Sequence, residues 1–212
     1  MDGPQLEAHY LPHLVDITSS AQIPARWHGT PIEAFIQCQN LGYPLYPQEK
    51  PQILISACME FRFALPVPAR YAYVIRTPGG RLLGAELAVG YAISRGVNCI
   101  LLMAHNDCGM CRLATLKPQI IDAFVSQGWS RAMAEKYFNV REARYSIPNE
   151  LEALRGEYFR LKKLFLNVHV APVFLTLADK RVYLPAWYQE HISHAEPNEI
   201  KQVADEDILS LS

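Results

Sequence analysis

Short, largely apolar runs alternate along the chain with segments whose apolar residues recur at helical spacing. The runs that predict buried strands are residues 52–57, 72–76, 98–104, 172–177 and 181–184. The segments that predict helices are residues 31–41, 83–94, 111–124, 130–138 and 149–166. Apolar strands that alternate with helices are typical of a parallel sheet covered on both faces. We therefore predict an α/β fold with a mostly parallel central sheet and flanking helices.

The same pattern divides the chain into three regions. Residues 1–50 form an N-terminal arm with scattered prolines and aromatics and one helix, which Pro31 starts and Gly42 ends. Residues 51–188 contain the predicted strands and form the α/β core. Residues 189–212 are polar and acidic and predict a tail or a docking segment. The arm is a candidate to clasp a partner subunit.

Charge and length narrow the classes of function. The chain has 212 residues, and its 20 Lys+Arg and 21 Asp+Glu give a net charge of −1. Such a balance argues against a nucleic acid or an anionic membrane as the partner and fits a small-molecule substrate. The most apolar stretch is interrupted by Glu86, Arg95 and Asn98, so it does not predict a membrane span. The first residues lack the pattern of a signal peptide, and we expect a cytoplasmic protein.

The cysteine count changes this picture, because the chain has five cysteines, an odd number. A chain of this length does not need disulfides to fold, so we expect a reducing compartment and a metal or redox role for clustered cysteines. Cys38 on the arm helix and Cys99 in an apolar strand are interpreted as packing residues.

Two predicted strand ends carry the candidate chemistry. Cys58 follows the first core strand, and His105 and Cys108 follow the third. The carboxyl ends of strands in an open α/β sheet line one crevice, so these side chains are expected to meet. Two thiolates and an imidazole suit tetrahedral zinc with one open position, which is the pattern of a catalytic site. We therefore predict a Zn²⁺ site at Cys58, His105 and Cys108.

Other interpretations of these residues stay open. Glu60 could accept the proton of a metal-bound water and orient its lone pair, with Arg62 keeping the carboxylate ionised and aimed, or the two could be an ordinary surface ion pair. Cys58 alone could be a packing residue. Cys108 and Cys111 form a C-x-x-C sequence, which could instead indicate thiol redox chemistry.

Three segments together resemble the β-class carbonic anhydrases. They are Cys58-Met59-Glu60-Phe61-Arg62, Val74-Ile75-Arg76-Thr77-Pro78-Gly79-Gly80 and His105-Asn106-Asp107-Cys108-Gly109-Met110. That family has a Cys-x-Asp-x-Arg segment, an Arg-Asn-Ala-Gly-Gly-like turn and a His-x-x-Cys-Gly segment in the same order. The resemblance spans about residues 53–110. This chain departs from the family with Glu60 in place of the Asp and with Thr77-Pro78 in place of Asn-Ala.

The resemblance implies roles for individual residues. Cys58, His105 and Cys108 would be the zinc ligands, and Gly79 and Gly80 would line the substrate pocket. Glu60 would take the place of the family's catalytic Asp, and Arg62 that of its partner Arg. The implied activity is reversible hydration of CO₂ to bicarbonate by zinc hydroxide in a homodimer or higher oligomer. Two alternatives are a hydrolase of a CO₂-like molecule such as COS or CS₂, and an inactive zinc-binding relative with a structural or regulatory role.

Overall fold

One mixed sheet forms the centre of the protein in the computed structural model, which describes residues 8–194. Its strands are β1 (Leu14–Val15), β2 (Ile53–Cys58), β3 (Ala72–Thr77), β4 (Cys99–His105), β5 (His169–Leu175) and β6 (Val182–Pro185). Their order across the sheet is β1-β6-β5-β4-β2-β3. Strands β3, β2, β4 and β5 are parallel, whereas β6 runs antiparallel to both β5 and β1. The predicted α/β class and mostly parallel sheet are confirmed.

Helices cover this sheet, and their bounds follow the capping signals. They are α1 (Pro31–Leu41), α2 (Glu86–Ser94), α3 (Leu113–Ser126), α4 (Arg131–Tyr145), α5 (Glu150–Leu164) and α6 (Ala186–His194). The side chains of Ser130 and Asn149 accept the first free N–H groups of α4 and α5. Helix α4 extends past residue 138, where the prediction ended it. The prediction stopped early because the last turns are charged and exposed and therefore lack the apolar spacing on which it was based.

The core lies between the helices and the two central strands. Every residue of β2 and β4 is buried, which agrees with the prediction that both sheet faces are covered. The segment predicted as an arm contributes fully buried side chains to this same core, among them Trp27, Phe35 and Ile36. Trp27 stacks on Tyr188 of α6 at a ring-centroid distance of 5.2 Å.

Two further features concern the predicted tail and the length and hydrophobicity of the helices. Residues 189–194 of the predicted tail belong to helix α6, and residues 195–212 lie outside the described part. No helix within residues 8–194 is long and apolar enough to cross a membrane.

The sheet order brings the two candidate strand ends together. Strand β2 pairs directly with β4 in parallel, with Ala57 opposite Met103. Cys58 and His105, the last residues of these strands, therefore lie at the same edge of the sheet.

Candidate metal centre

Three buried side chains converge where β2 and β4 end. The ligand atoms of Cys58, His105 and Cys108 all lie within 4.8 Å of one another, and the two sulfur atoms are 3.8 Å apart. All three residues are less than a tenth exposed. The structure therefore brings together the three residues that the sequence predicts as ligands.

The hydrogen bonds of His105 leave one ring nitrogen free for a metal. Its Nδ1 lies 2.8 Å from the carbonyl oxygen of Asn106, and since a carbonyl only accepts, Nδ1 carries the proton. Its Nε2 is buried and has no hydrogen-bond partner among the residues that the structure describes. A buried nitrogen lone pair without a partner costs free energy, and a cation would satisfy it.

The environment of the two thiols also fits a cation. The hydrogen bond from Cys108 lowers the pKa of Cys58 against the opposing effect of burial, with further lowering by His105 and by the N–H of Gly79. The hydrogen bond with Cys58 raises the pKa of Cys108, and burial raises it further. The two sulfur atoms thus lie within hydrogen-bonding distance of each other, beside the Nε2 of His105. Two thiolates and a neutral imidazole are a ligand set that binds zinc, so the cluster is suited to metal binding.

The glycine turn after β3 touches this cluster through its backbone. Gly79 and Gly80 adopt positive φ angles of 74° and 69°, and the N–H of Gly79 faces the Cys58 sulfur. A Cβ atom on Gly80 would lie 3.0 Å from the carbonyl oxygen of Met103 and 3.1 Å from the nitrogen of Cys58. The hydroxyl of Ser56 donates to the Gly80 carbonyl at 2.8 Å. Glycine is required here because the turn lies directly against β2 and β4.

Glu60 and Arg62 form an ion pair next to the cluster, in which both carboxylate oxygens accept hydrogen bonds. Arg62 donates to one carboxylate oxygen of Glu60 from its backbone N–H at 2.6 Å and from Nε at 2.7 Å, and to the other oxygen at 2.7 Å. These hydrogen bonds lower the pKa of Glu60 to about 2, although burial opposes the shift. Arg62 also donates to the Asp107 carboxylate at 2.8 Å. The Glu60 carboxylate lies 3.8 Å from Nδ1 of His105, the nitrogen opposite the free one.

Several residues of the site were not predicted from the sequence. Asp107 joins the two ligand segments by accepting from both Arg62 and Arg112 at 2.8 Å. Arg76 donates to the Cys58 carbonyl at 2.9 Å. Glu150 accepts the backbone N–H of Cys108 at 2.9 Å. The positive φ of Asp107, 56°, is a conformation that Asp tolerates, but its ion pairs depend on long-range contacts without a local sequence signal.

The C-x-x-C interpretation fits the structure poorly. The N–H of Cys111 donates to the Cys108 carbonyl at 3.1 Å, within one short helical turn. Burial and the Glu150 carboxylate raise the pKa of Cys111 to about 12. A redox-active thiol needs a lowered pKa, so this environment disfavours thioredoxin-like chemistry at Cys111. Cys99 is fully buried, as expected for a packing residue, and Cys38 is half-buried on α1.

Solved carbonic anhydrases share this fold. A β-carbonic anhydrase (isoform I) from Trichomonas vaginalis is 19% identical, with a TM-score of 0.55 over 73% of this chain and 93% of that chain. The carbonic anhydrase of Glaciozyma antarctica is 19% identical, with a TM-score of 0.50 over 79% and 99% of the two chains. That of Streptococcus mutans is 17% identical, with a TM-score of 0.50 over 71% and 92%. No protein-family model matches the chain, and no curated protein matches its sequence. At these identities the similarity establishes a β-carbonic-anhydrase-like fold.

Proposed function

We propose that the protein is a zinc-dependent lyase that reversibly hydrates CO₂ to bicarbonate. The observation that carries this proposal is the buried Cys58, His105 and Cys108 set with its unpartnered imidazole nitrogen. Zinc is the metal that best fits two thiolates and one imidazole in a tetrahedral site with one position left open. The β-carbonic-anhydrase-like fold supports the same reaction.

Each ligand would be held by its own surroundings. Cys58, His105 and Cys108 would bind the metal, and the Asn106 carbonyl would keep the His105 proton on Nδ1. The N–H of Gly79 would stabilise the Cys58 thiolate. A zinc ion held by three protein ligands supplies a water of lowered pKa, from which hydroxide forms near neutral pH.

Glu60 is the proposed hydrogen-bond acceptor and orienting group. Arg62 keeps Glu60 ionised, and an ionised carboxylate can accept the hydrogen bond of a neighbouring hydroxyl. Arg62 directs two hydrogen bonds at Oε1 but one at Oε2. Because each carboxylate oxygen has two lone pairs, Oε2 retains capacity to accept another hydrogen bond. Arg62 thus has the role of a positioning residue for Glu60.

The metal and the reaction are tested separately. Zinc content per purified chain is measured for the parent, for Cys58→Ser and for the control Cys38→Ser, whose sulfur lies outside the cluster. We expect about one zinc per chain in the parent and the control and a large loss in Cys58→Ser. Stopped-flow measurement of CO₂ hydration then tests the reaction, with COS and CS₂ hydrolysis assayed in parallel. Zinc without CO₂ hydration would refute the proposed reaction and identify either a hydrolase or an inactive zinc-binding relative.

We also propose that the chain forms a homodimer or a higher oligomer through the side of the sheet that β3 borders. Within residues 8–194, strand β3 pairs only with β2, and the neighbouring helix α2 exposes Leu87 at 90% and Tyr91 at 58%. Large apolar side chains next to an open strand edge are typical of an interface. Leu87→Glu should lower the mass measured by light scattering, whereas Val140→Glu, at another exposed apolar position on α4, should not. Equal masses for the parent and Leu87→Glu would exclude this surface.

We place the protein in the cytoplasm. Its five cysteines are all free, and Cys58 and Cys108 must stay reduced to bind a metal.

A further inference from the structure

Glu150 is a buried carboxylate directly behind one of the candidate ligands. It is 4% exposed and is the first residue of helix α5. One oxygen accepts the backbone N–H of Cys108 at 2.9 Å. The other accepts the hydroxyl of Tyr10 at 2.6 Å. Burying a carboxylate costs free energy unless it is hydrogen-bonded, and here both oxygens have donors.

These contacts fasten the ligand loop to the start of α5. The N–H of Ile147 donates to the carbonyl of Met110 at 3.3 Å, and the Glu150 carboxylate adds the second link at Cys108. Ile147 belongs to the same small buried apolar cluster as Cys58 and Cys108. The position of the Cys108 backbone is therefore set by α5 as well as by strand β4.

Tyr10 connects the N-terminal segment to this carboxylate. Its side chain is buried, and its ring packs on Phe174 of β5 at a centroid distance of 4.9 Å. This packing against β5 holds the Tyr10 hydroxyl within reach of Glu150. Tyr10, Glu150 and Cys108 form a continuous chain of hydrogen bonds from that segment to the candidate metal ligand.

We propose that Glu150 is a positioning residue for the metal centre, which holds Cys108 in its ligating place through the backbone N–H, and that Tyr10 holds Glu150 there. This inference rests on the proposed metal function and assigns the N-terminal segment a role in it. Outer groups that orient metal ligands are typically worth 10–100-fold in metal affinity. We expect zinc affinity to fall by the same 10–100-fold when the Glu150 acceptor is removed.

The test measures zinc affinity by competition with a chromophoric chelator and records the thiolate-to-cobalt absorption of the cobalt-loaded protein. Glu150→Leu removes the acceptor, Glu150→Gln keeps an amide oxygen for the Cys108 N–H, and Tyr10→Phe removes only the hydroxyl. Matched controls are Glu152→Gln, an exposed position on the same helix, and Tyr46→Phe, an exposed tyrosine. Thermal unfolding is measured for every variant so that affinity is compared only among folded proteins.

We expect Glu150→Leu to bind zinc 10–100-fold more weakly than the parent and to show an altered thiolate-to-cobalt absorption. The zinc affinity of Glu150→Gln should stay within about threefold of the parent's, and that of Tyr10→Phe should be about tenfold lower. The controls should match the parent. If Glu150→Leu does not fold, the contrast between Tyr10→Phe and Tyr46→Phe decides the question. Lower thermal stability with parental zinc affinity and absorption would mean that Glu150 is only structural, and would overturn the inference. A parent protein that binds no zinc would instead refute the proposed function.

Discussion

The replacement Arg62→Gln tests whether the ion pair beside the metal centre contributes to stability as its geometry indicates. Arg62 donates to both oxygens of Glu60 at 2.7 Å and to Asp107 at 2.8 Å. Glutamine keeps the backbone N–H contact at 2.6 Å but loses the guanidinium charge and its forked geometry. The Glu60 side chain is only 9% exposed, so its carboxylate would be left largely buried with one remaining donor.

The magnitude follows from the pKa of Glu60, which is lowered from 4.5 to about 2, first of all by the Arg62 side chain. At about 1.4 kcal/mol for each tenfold change in proton affinity, this shift corresponds to roughly 3 kcal/mol as an upper bound. Because Arg62 is 37% exposed, solvent screening reduces the expected loss to about 1–2 kcal/mol. A lowered pKa stabilises the folded state above the unfolded value, so this contribution is present above about pH 4.5 and is lost as the pH falls toward 2.

Urea unfolding of the parent and of Arg62→Gln at pH 7 and at pH 3, with a chelator present throughout, measures this contribution. We expect a loss of about 1–2 kcal/mol in the free energy of unfolding at pH 7 and a clearly smaller loss at pH 3. The control Arg131→Gln breaks a 2.6 Å ion pair with Asp122 whose partners are both more than half exposed, and it should cost less than about 0.5 kcal/mol. Equal losses at the two pH values, or equal losses for the two variants, would refute the reasoning.

Three further predictions concern the glycine turn after β3, the carboxylate of Glu60 and the removal of the proposed metal. Gly80→Ala should lower the free energy of unfolding by about 2 kcal/mol or more, since φ is positive and the new Cβ would meet the Met103 carbonyl. The control Gly42→Ala has a similar φ and open space around the new Cβ, and it should lower the free energy of unfolding by about 1 kcal/mol. Equal losses for the two variants would contradict this account. Glu60→Asp should lower kcat/KM for CO₂ hydration roughly 10–100-fold, because the shorter side chain loses the forked contact with Arg62, and increased activity would show that the longer side chain is an obstacle. Chelation of the metal should lower Tm reversibly in calorimetry, and an unchanged Tm would exclude a stabilising metal.

The three candidate ligands could be predicted because their positions depend on strands that the sequence marks clearly. Strands β2 and β4 are apolar throughout, and both end at a residue with a metal-binding side chain. In a parallel sheet of this class the strand ends share one edge, so the proximity of Cys58 and His105 follows from the class alone. The spacing from His105 to Cys108 then needs only one tight turn.

The groups that hold those ligands could not be predicted, since their contacts join distant parts of the chain. Tyr10 and Glu150 are 140 positions apart, and Cys108 and Glu150 are 42 apart. A tyrosine near the N-terminus and a glutamate in the first turn of a helix each have ordinary local explanations, because acidic residues are favoured at helix N-termini. Their contact depends on how the N-terminal segment packs against β5, which hydrophobic spacing does not specify.

The presence of Glu rather than Asp at position 60 has a consistent physical explanation in this structure. Backbone and side chain of Arg62 both bind the Glu60 carboxylate, so its place is set by three hydrogen bonds and not by the length of the side chain alone. Arg62 is in turn held by Asp107, which Arg112 also binds. The extra methylene is therefore fixed by a network that joins both ligand segments, Cys58–Arg62 and His105–Arg112. A carboxylate fixed in this way stays ionised at neutral pH and loses little entropy when it accepts a hydrogen bond, which is what the proposed role of orienting a hydroxyl would require.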